Sequence, residues 1–407
     1  MGRDRGDARQ SVAAGAMKVD PHYWLDRPGI GRLLRALDAD QGGARFVGGA
    51  VRDALLGIAP DDLDLATPHA PHDVVERLEA AGIKAIPTGI AHGTVTAVAS
   101  GTMVEVTTLR CDVDTDGRRA TVAFTDDWAA DAARRDFTIN ALYADPRSGE
   151  VIDHVGGEAD IAARRVRFIG EPLQRIAEDH LRILRFFRFH ARFGEGEPDR
   201  AALDACSARA NDLMALSRER IADELLKLLA LPDPSPTLAL MAGRRILAPI
   251  LPELVEQAAA NVAALACAES AADVSPDALR RLAALLPRDP ALGARVAARL
   301  KLSKKARKRL AAAADRDLDF NPRALAYRQG TEAAIDRLLL ANRSADAASI
   351  SEWPLPQLPM GGGELVARGV PQGPEVARRL RVIEAAWVEA GFPTGQAFDA
   401  LVAANLA

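Results

Sequence analysis

Three acidic residues, Asp62, Asp64 and Glu105, carry the sharpest chemical signal in the chain. In Asp62-Leu63-Asp64-Leu65 a strand would turn both carboxylates to one face and both leucines to the other. Two carboxylates side by side repel unless a cation lies between them, and hard oxygen ligands favour Mg²⁺. Just upstream, Gly48-Gly49 opens an amphipathic helix over about Val51 to Leu56, closed by Gly57. Glycines at a helix entrance let backbone N–H groups approach a phosphate, and the helix dipole favours the anion there. Arg52, in the first turn, adds a charge-assisted contact to the same group. A lone Gly-Gly or a lone Asp-x-Asp means little. Together on one strand–helix–strand unit they point to metal-assisted nucleotidyl transfer.

Glu105 stands between Val104 and Val106, facing away from both. Alone it would be a solvent-facing strand residue. Beside two other acids it is the third carboxylate such a site needs, placed to orient or deprotonate an attacking hydroxyl. Arg134-Arg135-Asp136 with Asn140 is polar where the sequence otherwise turns apolar (Phe137, Ile139, Leu142). Arg135 is the candidate for a triphosphate and Asn140 for a sugar or a backbone bend. Glu178-Asp179-His180-Leu181-Arg182 is the second unusual stretch. Asp179 and Arg182 are three apart, hence neighbours on a helix. A carboxylate only accepts and a guanidinium only donates, so the pair matches the edges of cytosine and adenine and is left unpaired against uracil and guanine. Arg185 and Arg188 continue the row, although steps of three drift about 60° around a helix.

The elements that must position these groups follow from periodicity. A lead-in helix is expected over 22–41, with Ile30, Leu33, Leu34 and Leu37 at helical spacing. A second helix spans Pro71 to Gly82, and strands follow at 83–86, 93–98 and 102–107. Asp112 to Arg119 reads as a mobile loop, Trp128–Ala133 as a helix, and 151–170 as a strand, a Gly156-Gly157 turn and a final strand at 166–169. From Pro172 the period changes from 2 to 3.6, with helices over 172–192, 199–210, 217–230 and a further series ending at 373–390. The fold class is therefore α+β: a mixed-sheet head at 22–170 followed by an all-α remainder, divided as 171–235 and 236–407.

Composition bounds the rest. A chain of 407 residues should hold more than one domain. A net charge of −4 excludes a uniformly basic nucleic-acid binder, so any such surface is local. The dense basic run is Lys301, Lys304, Lys305, Arg307, Lys308 and Arg309, ordinarily a solvated helix face but also the best local candidate for an RNA backbone. Cys111, Cys206 and Cys267 have no paired spacing, as suits a reducing compartment. His72-Asp73 opens a helix and has no partner cluster for hydrolase chemistry. No apolar run is long enough for a membrane span. Residues 1–21 lack a signal-peptide core and are expected to form a disordered extension, with Met17 an alternative start. A cytoplasmic location is the expectation.

These motifs resemble the class II tRNA nucleotidyltransferases, or CCA-adding enzymes, which share a head with bacterial poly(A) polymerases in the polymerase β superfamily. The resemblance covers roughly 40–230. It implies that Asp62 and Asp64 hold Mg²⁺, that Gly49 and Arg52 bind the incoming triphosphate, and that Glu105 is the third carboxylate. Arg135 and Asn140 would meet ribose and phosphates. Asp179 and Arg182 would be the protein template that selects C and then A, with Arg185 and Arg188 further nucleotide-site positions. Val151 to Ile161 matches the hinge between head and neck, and Ser217 to Glu224 the helix that braces the neck. The loop carrying Asp116-Gly117-Arg118-Arg119 matches an element linked to the final A. The implied fold is a polymerase-β-like head with helical neck, body and tail that hold the tRNA acceptor arm. The implied reaction is template-independent addition of C, C and A to tRNA from CTP and ATP. A poly(A) polymerase, an enzyme adding only CC or only A, and a catalytically dead RNA-binding module are the alternatives. No membrane and no protein partner is implied.

Overall fold

A computed structural model describes residues 17–115, 120–315, 318 and 321–406. Contacts divide the chain into two compact units, at Arg209/Ala210. The first unit is built on a seven-stranded sheet in the order β3-β4-β5-β2-β1-β8-β9. Its elements are α1 (His22–Leu25), α2 (Ile30–Ala36), β1 (Arg45–Val47), α3 (Gly49–Leu55), β2 (Leu63–Thr67), α4 (Pro71–Ala80), β3 (Lys84–Gly89), β4 (Thr94–Ala99) and β5 (Thr102–Thr108). After these come β6 (Arg110–Thr115), β7 (Ala120–Phe124), α5 (Trp128–Ala133), β8 (Leu142–Ala144), β9 (Val151–Asp153) and α6 (Gly157–Ala162). The unit closes with α7 (Pro172–Glu178), α8 (Arg182–Phe193) and α9 (Arg200–Ala208).

Alternation decides which face is covered. Leu63, Leu65, Val95, Ala97, Ala99, Val104 and Val106 are all buried, while Thr94, Thr96, Val98 and Thr107 between them are half-exposed. This is a sheet packed on one side only over β3–β4–β5. Strands β2 and β5 run parallel and set Asp64 opposite Glu105, joining positions 41 apart in sequence. The other connections are antiparallel.

Several expectations need correction. The lead-in helix over 22–41 is broken at Pro28-Gly29, because Gly29 adopts φ 83° and a Cβ there would lie 2.5 Å from the Ala99 carbonyl oxygen. Residues 17–19, expected in a disordered extension, pair with the sheet edge through Lys18↔Glu150 and Val19 N–H to Gly149 O at 2.8 Å. Of the stretch expected as a mobile loop over Asp112 to Arg119, residues 112–115 belong to strand β6, which pairs with β7, and Asp116-Gly117-Arg118-Arg119 lies outside the described residues. The Gly156-Gly157 turn instead opens α6, where Asp153 accepts the N–H groups of Val155, Gly156 and Glu158. Residues 166–169 form no strand beyond the single bridge Phe137↔Phe168. The helix expected over 172–192 is two, α7 and α8.

The second unit is helical among its described residues, from α10 (Arg218–Leu229) to a last helix at Gln396–Leu406. Helices at Pro322–Gln329, Ser344–Ser351, Gly362–Ala367 and Gln396–Leu406 go beyond the expected series. Its interior holds an ion network. Arg280 joins Glu269 at 2.6 Å and Asp336 at 2.8 Å, Arg281 joins Glu269 at 2.8 Å, and Arg309 joins Asp336 at 2.6 Å. No helix among the described residues is long and apolar enough to cross a membrane.

Candidate active site

The acidic pair sits at the middle of the sheet. Asp64 lies inside β2, and Asp62 precedes the strand in an exposed bend. Glu105 is exposed on β5 directly beside Asp64. Burial pushes the Asp64 carboxyl up to about 6, reinforced by the negative charges of Glu105 and Asp62 and opposed by Arg135 and Arg52. So the structure brings all three acids together with both arginines. Among the described residues no three acid, histidine or cysteine side chains form a preformed metal cage. The donor set is all oxygen and mutually repelling, so it fits a hard divalent cation.

The phosphate side lies next to it. Gly48 follows β1 with φ 68° and ψ −120°, a backbone shape strained for residues with a Cβ. Its N–H bonds the Leu142 carbonyl at 3.1 Å, and Gly49 starts α3. A Cβ on Gly48 would come 3.6 Å from Arg135 Nη1, and one on Gly49 3.7 Å from Arg52 Nη2. Both guanidinium groups therefore border the glycine pair. Arg52 is buried, held by Asp53 at 2.6 Å and stacked on Phe193 at 4.1 Å. Burial lowers its pKa, and Asp53 offsets this only in part.

Arg135 owes its place to a residue that motif reasoning passes over. Asp131, buried in α5, accepts from Arg135 Nη2 at 2.9 Å and Nε at 3.1 Å, from the Tyr143 hydroxyl at 2.7 Å and from the Arg110 N–H at 3.1 Å. The Tyr143 ring lies 5.5 Å from the guanidinium. Burial alone would raise the Asp131 carboxyl. Arg135 and the Tyr143 hydroxyl outweigh it, so the carboxyl stays below the usual range. The i, i+4 spacing of Asp131 and Arg135 was the available sequence signal. Arg175 is a second omission. It is buried, and its Nη2 donates to the Arg134 carbonyl at 2.5 Å and the Arg135 carbonyl at 2.6 Å.

A chain of polar contacts runs from the phosphate side to α8. Arg52 donates to Asn140 Oδ1, Asn140 Nδ2 donates to Asp136 Oδ1 at 3.0 Å, and Arg185 Nε donates to Asp136 Oδ2 at 2.8 Å. Burial would raise the Asp136 carboxyl, but Arg185 and Asn140 hold it below the usual range. Asn140 thus serves as a connector between Arg52 and Asp136. Arg188 stacks on Phe189 at 4.4 Å.

Asp179 and Arg182 do not share a helix. Asp179 ends α7 with φ −150° and accepts the Leu181 N–H at 3.1 Å, and Arg182 begins α8. An aspartate that bonds backbone two residues on competes with helix continuation. Arg182 Nη1 donates to Glu178 at 2.6 Å and to the Arg175 carbonyl at 2.7 Å.

The basic run in the second unit divides by environment. Arg309 is sequestered by Asp336, Glu332 and Asp277, and Lys301 pairs with Glu219 at 2.8 Å. Lys304, Lys305 and Lys308 are exposed and Arg307 is exposed beside them. Lys305 and Lys308 border a cleft that also touches Arg328, Thr331 and Glu332.

Residues 44–167 fit the poly A polymerase head domain, and residues 197–257 fit a family described as a probable RNA and SrmB-binding site of polymerase A. The mitochondrial CCA tRNA nucleotidyltransferase 1 of Mus musculus is 34% identical over 367 residues, covering 86% of this chain and 83% of that protein. The CCA-adding enzyme of Geobacillus thermodenitrificans is 40% identical over 230 residues, 55% of this chain and 54% of the relative. The solved structure of the Bacillus stearothermophilus CCA-adding enzyme in complex with CTP superposes with a TM-score of 0.72 at 28% identity, covering 93% of this chain and 98% of that one.

Proposed function

The chain belongs to the CCA-adding tRNA nucleotidyltransferases, and from that premise we propose how its own residues perform the reaction. The enzyme adds C, C and A to the 3′ end of tRNA from CTP and ATP, releasing pyrophosphate. The observation that carries the site assignment is the Asp64–Glu105 pair on adjacent parallel strands, with Arg52 and Arg135 bordering Gly48-Gly49 next to it.

In this reading Gly48 and Gly49 admit the triphosphate, and Arg52 and Arg135 neutralise it. Glu105 takes the proton of the acceptor 3′-hydroxyl as that oxygen attacks the α-phosphorus and pyrophosphate departs. Nucleotidyltransferases of this family use a divalent metal. The ion we propose is Mg²⁺, held by Asp62 and Asp64, and it supplies charge stabilisation at the phosphates. Asp179 and Arg182 select the base. Freed from one helix, they are offset along the α7–α8 turn, and Glu178 and Arg175 set the orientation of Arg182. Arg185 and Arg188 flank that turn, and Asn140 ties Arg52 to Asp136. The functional division proposed is a catalytic head at 22–170, a neck at 171–235 and an RNA-binding body and tail at 236–407. RNA backbone contact falls to Lys304, Arg307 and Lys308 and to the exposed Lys305, whose ammonium lies 3.8 Å from Glu332, while Lys301 and Arg309 are held closer by acids. A cytoplasmic location is supported by three separate free cysteines.

The test is incorporation on a tRNA transcript ending before CCA, with Mg²⁺, offering each nucleotide singly and CTP with ATP together. Growth by three residues with both nucleotides, then arrest, is the expected result. Open-ended growth with ATP alone would make it a poly(A) polymerase.

A further inference from the structure

Asp64 and Asp62 are held in different ways. Asp64 lies inside β2, where the ladder to β5 fixes the backbone on both sides of it. Asp62 is one residue short of the strand, exposed in a bend. The ladder takes hold only at Leu63, opposite Val104. If the Asp62 carboxylate is to share an ion with Asp64, the chain just before it needs a hold of its own.

That hold comes from the turn between α1 and α2. Arg27 Nη2 donates to the Pro60 carbonyl, and Nη1 donates to the Asp61 carbonyl at 3.1 Å. One guanidinium thus reaches 34 positions along the chain to the two peptide groups that lead into Asp62. Pro60 is buried, and a carbonyl turned away from water needs a donor. A peptide unit is planar, so fixing the Asp61 oxygen fixes the plane that ends on the Asp62 Cα. The rigid planar head of an arginine sets both oxygens at once, which the point charge of a lysine does not.

The turn that carries Arg27 is itself tied to the sheet at both ends. Before it, Trp24 is fully buried, stacks on Phe46 of β1 at 4.4 Å and donates to the Pro146 carbonyl at 2.9 Å. The Trp24 carbonyl accepts the Arg27 N–H at 3.1 Å. After it, Gly29 lies so close to β4 that a Cβ would come 2.5 Å from the Ala99 carbonyl oxygen. Arg32 Nη2 reaches the Ser100 hydroxyl at 3.4 Å. The clamp therefore rests on the same sheet that carries Asp64 and Glu105.

We infer that Arg27 is a positioning residue for the metal site, pinning the Pro60–Asp61 backbone so that Asp62 is presented beside Asp64. The inference rests on the metal assignment proposed above and adds the residue that holds one of its two carboxylates in place. Arg27 acts through the backbone of Asp62 rather than on the ion. Removing a group that orients a metal ligand costs about tenfold to a hundredfold in metal affinity.

The test uses the full chain with Mn²⁺ as the probe, followed by electron paramagnetic resonance without nucleotide. Arg27→Ala should weaken Mn²⁺ binding by about tenfold. It should raise the Mg²⁺ concentration for half-maximal incorporation by a similar factor, with KM for tRNA changed less than twofold. Arg27→Lys keeps the charge but not the paired donors, and should fall between wild type and Arg27→Ala. Because the effect runs through one carboxylate, the double variant with Asp62→Ala should bind Mn²⁺ no more weakly than Asp62→Ala alone.

Mn²⁺ affinity within twofold of wild type in Arg27→Ala overturns the inference, and so does a further loss in the double variant. A lowered melting temperature with an unshifted Mg²⁺ requirement also overturns it, leaving Arg27 a structural clamp. Should Arg27→Ala fail to fold, Arg27→Lys decides by the same measurements. Mn²⁺ binding unchanged by both Asp62→Ala and Asp64→Ala would instead refute the metal assignment itself.

Discussion

Replacing Asp131 with Ala is the most demanding check on the active-site geometry, because one carboxylate carries four donors. Its removal leaves the Arg135 guanidinium without its ion-pair partner and strips the Tyr143 hydroxyl of its acceptor. Breaking a buried pair from one side costs about 3–5 kcal/mol. A unit of this size loses roughly 2–4 °C per kcal/mol, so the melting temperature should fall by about 6–20 °C. Function should move separately. A charge-assisted contact from Arg135 to a phosphate is worth about 1.5–3 kcal/mol, so a guanidinium released from Asp131 should raise KM for CTP and ATP by about tenfold to a hundredfold. Asp131→Asn keeps the shape and removes the charge, and should show the KM effect with a smaller stability loss. Thermal melts followed by near-UV circular dichroism, with initial rates at varied CTP, read both quantities. A melting temperature within 2 °C of wild type would refute the buried-pair account. A lowered melting temperature with KM unchanged in both variants would leave Asp131 a structural residue and refute its role in aiming Arg135.

Asp136→Asn should flatten the acid limb of stability: the folded carboxyl is held below the unfolded value near about 3.9, so its contribution is full above that value and lost as pH falls through the folded pKa. Melting temperatures from pH 7 to 3 should converge for the two proteins at the acid end, and parallel curves would contradict this. Gly48→Ala should cost about 1–3 kcal/mol in urea unfolding, since φ 68° with ψ −120° is strained for any residue with a Cβ. An unchanged midpoint would mean the turn relaxes. Arg309→Ala should destabilise the second unit by about 3–5 kcal/mol, whereas Lys304→Ala with Lys308→Ala should leave stability within about 0.5 kcal/mol and weaken salt-dependent tRNA affinity. Equal effects on stability would dissolve the distinction. Arg182→Ala should relax the preference for CTP and ATP over UTP and GTP while metal binding is retained, and an unaltered preference would sink the template assignment.

The chemistry of the donor set and the fold class were legible in the chain itself. Both depend on local rules: Gly48 needs a backbone shape only glycine adopts freely, Asp64 alternates with buried leucines, and the change of period after Pro172 marks where strands stop. The helix break at Asp179 was harder to see, because Asp179 competes with the helix through one short side-chain bond to Leu181. Local spacing hinted at the pairs Asp131–Arg135 and Glu178–Arg182, but the distant partners of the arginines were not legible. Arg185 is tied to Asp136, 49 residues away, Arg309 to Asp336, 27 away, and Arg175 to the carbonyls of Arg134 and Arg135. Which distant charges lose water together is decided by packing, and sequence spacing carries no record of it.

The sequence by itself offered three acids, a glycine pair and an arginine as candidates for one phosphate chemistry, and determined that a small sheet precedes many helices. Only the tertiary structure decided that Glu105 stands beside Asp64, through a parallel register between strands far apart in the chain. It alone set Gly48 and Arg135 beside the covered half of the sheet and left Met103 exposed, with Thr96 and Ile86 half-exposed, on the other. The physical reason is that strand order is fixed by non-local hydrogen bonding and by which apolar faces meet, and a local pattern names a face without naming what will cover it.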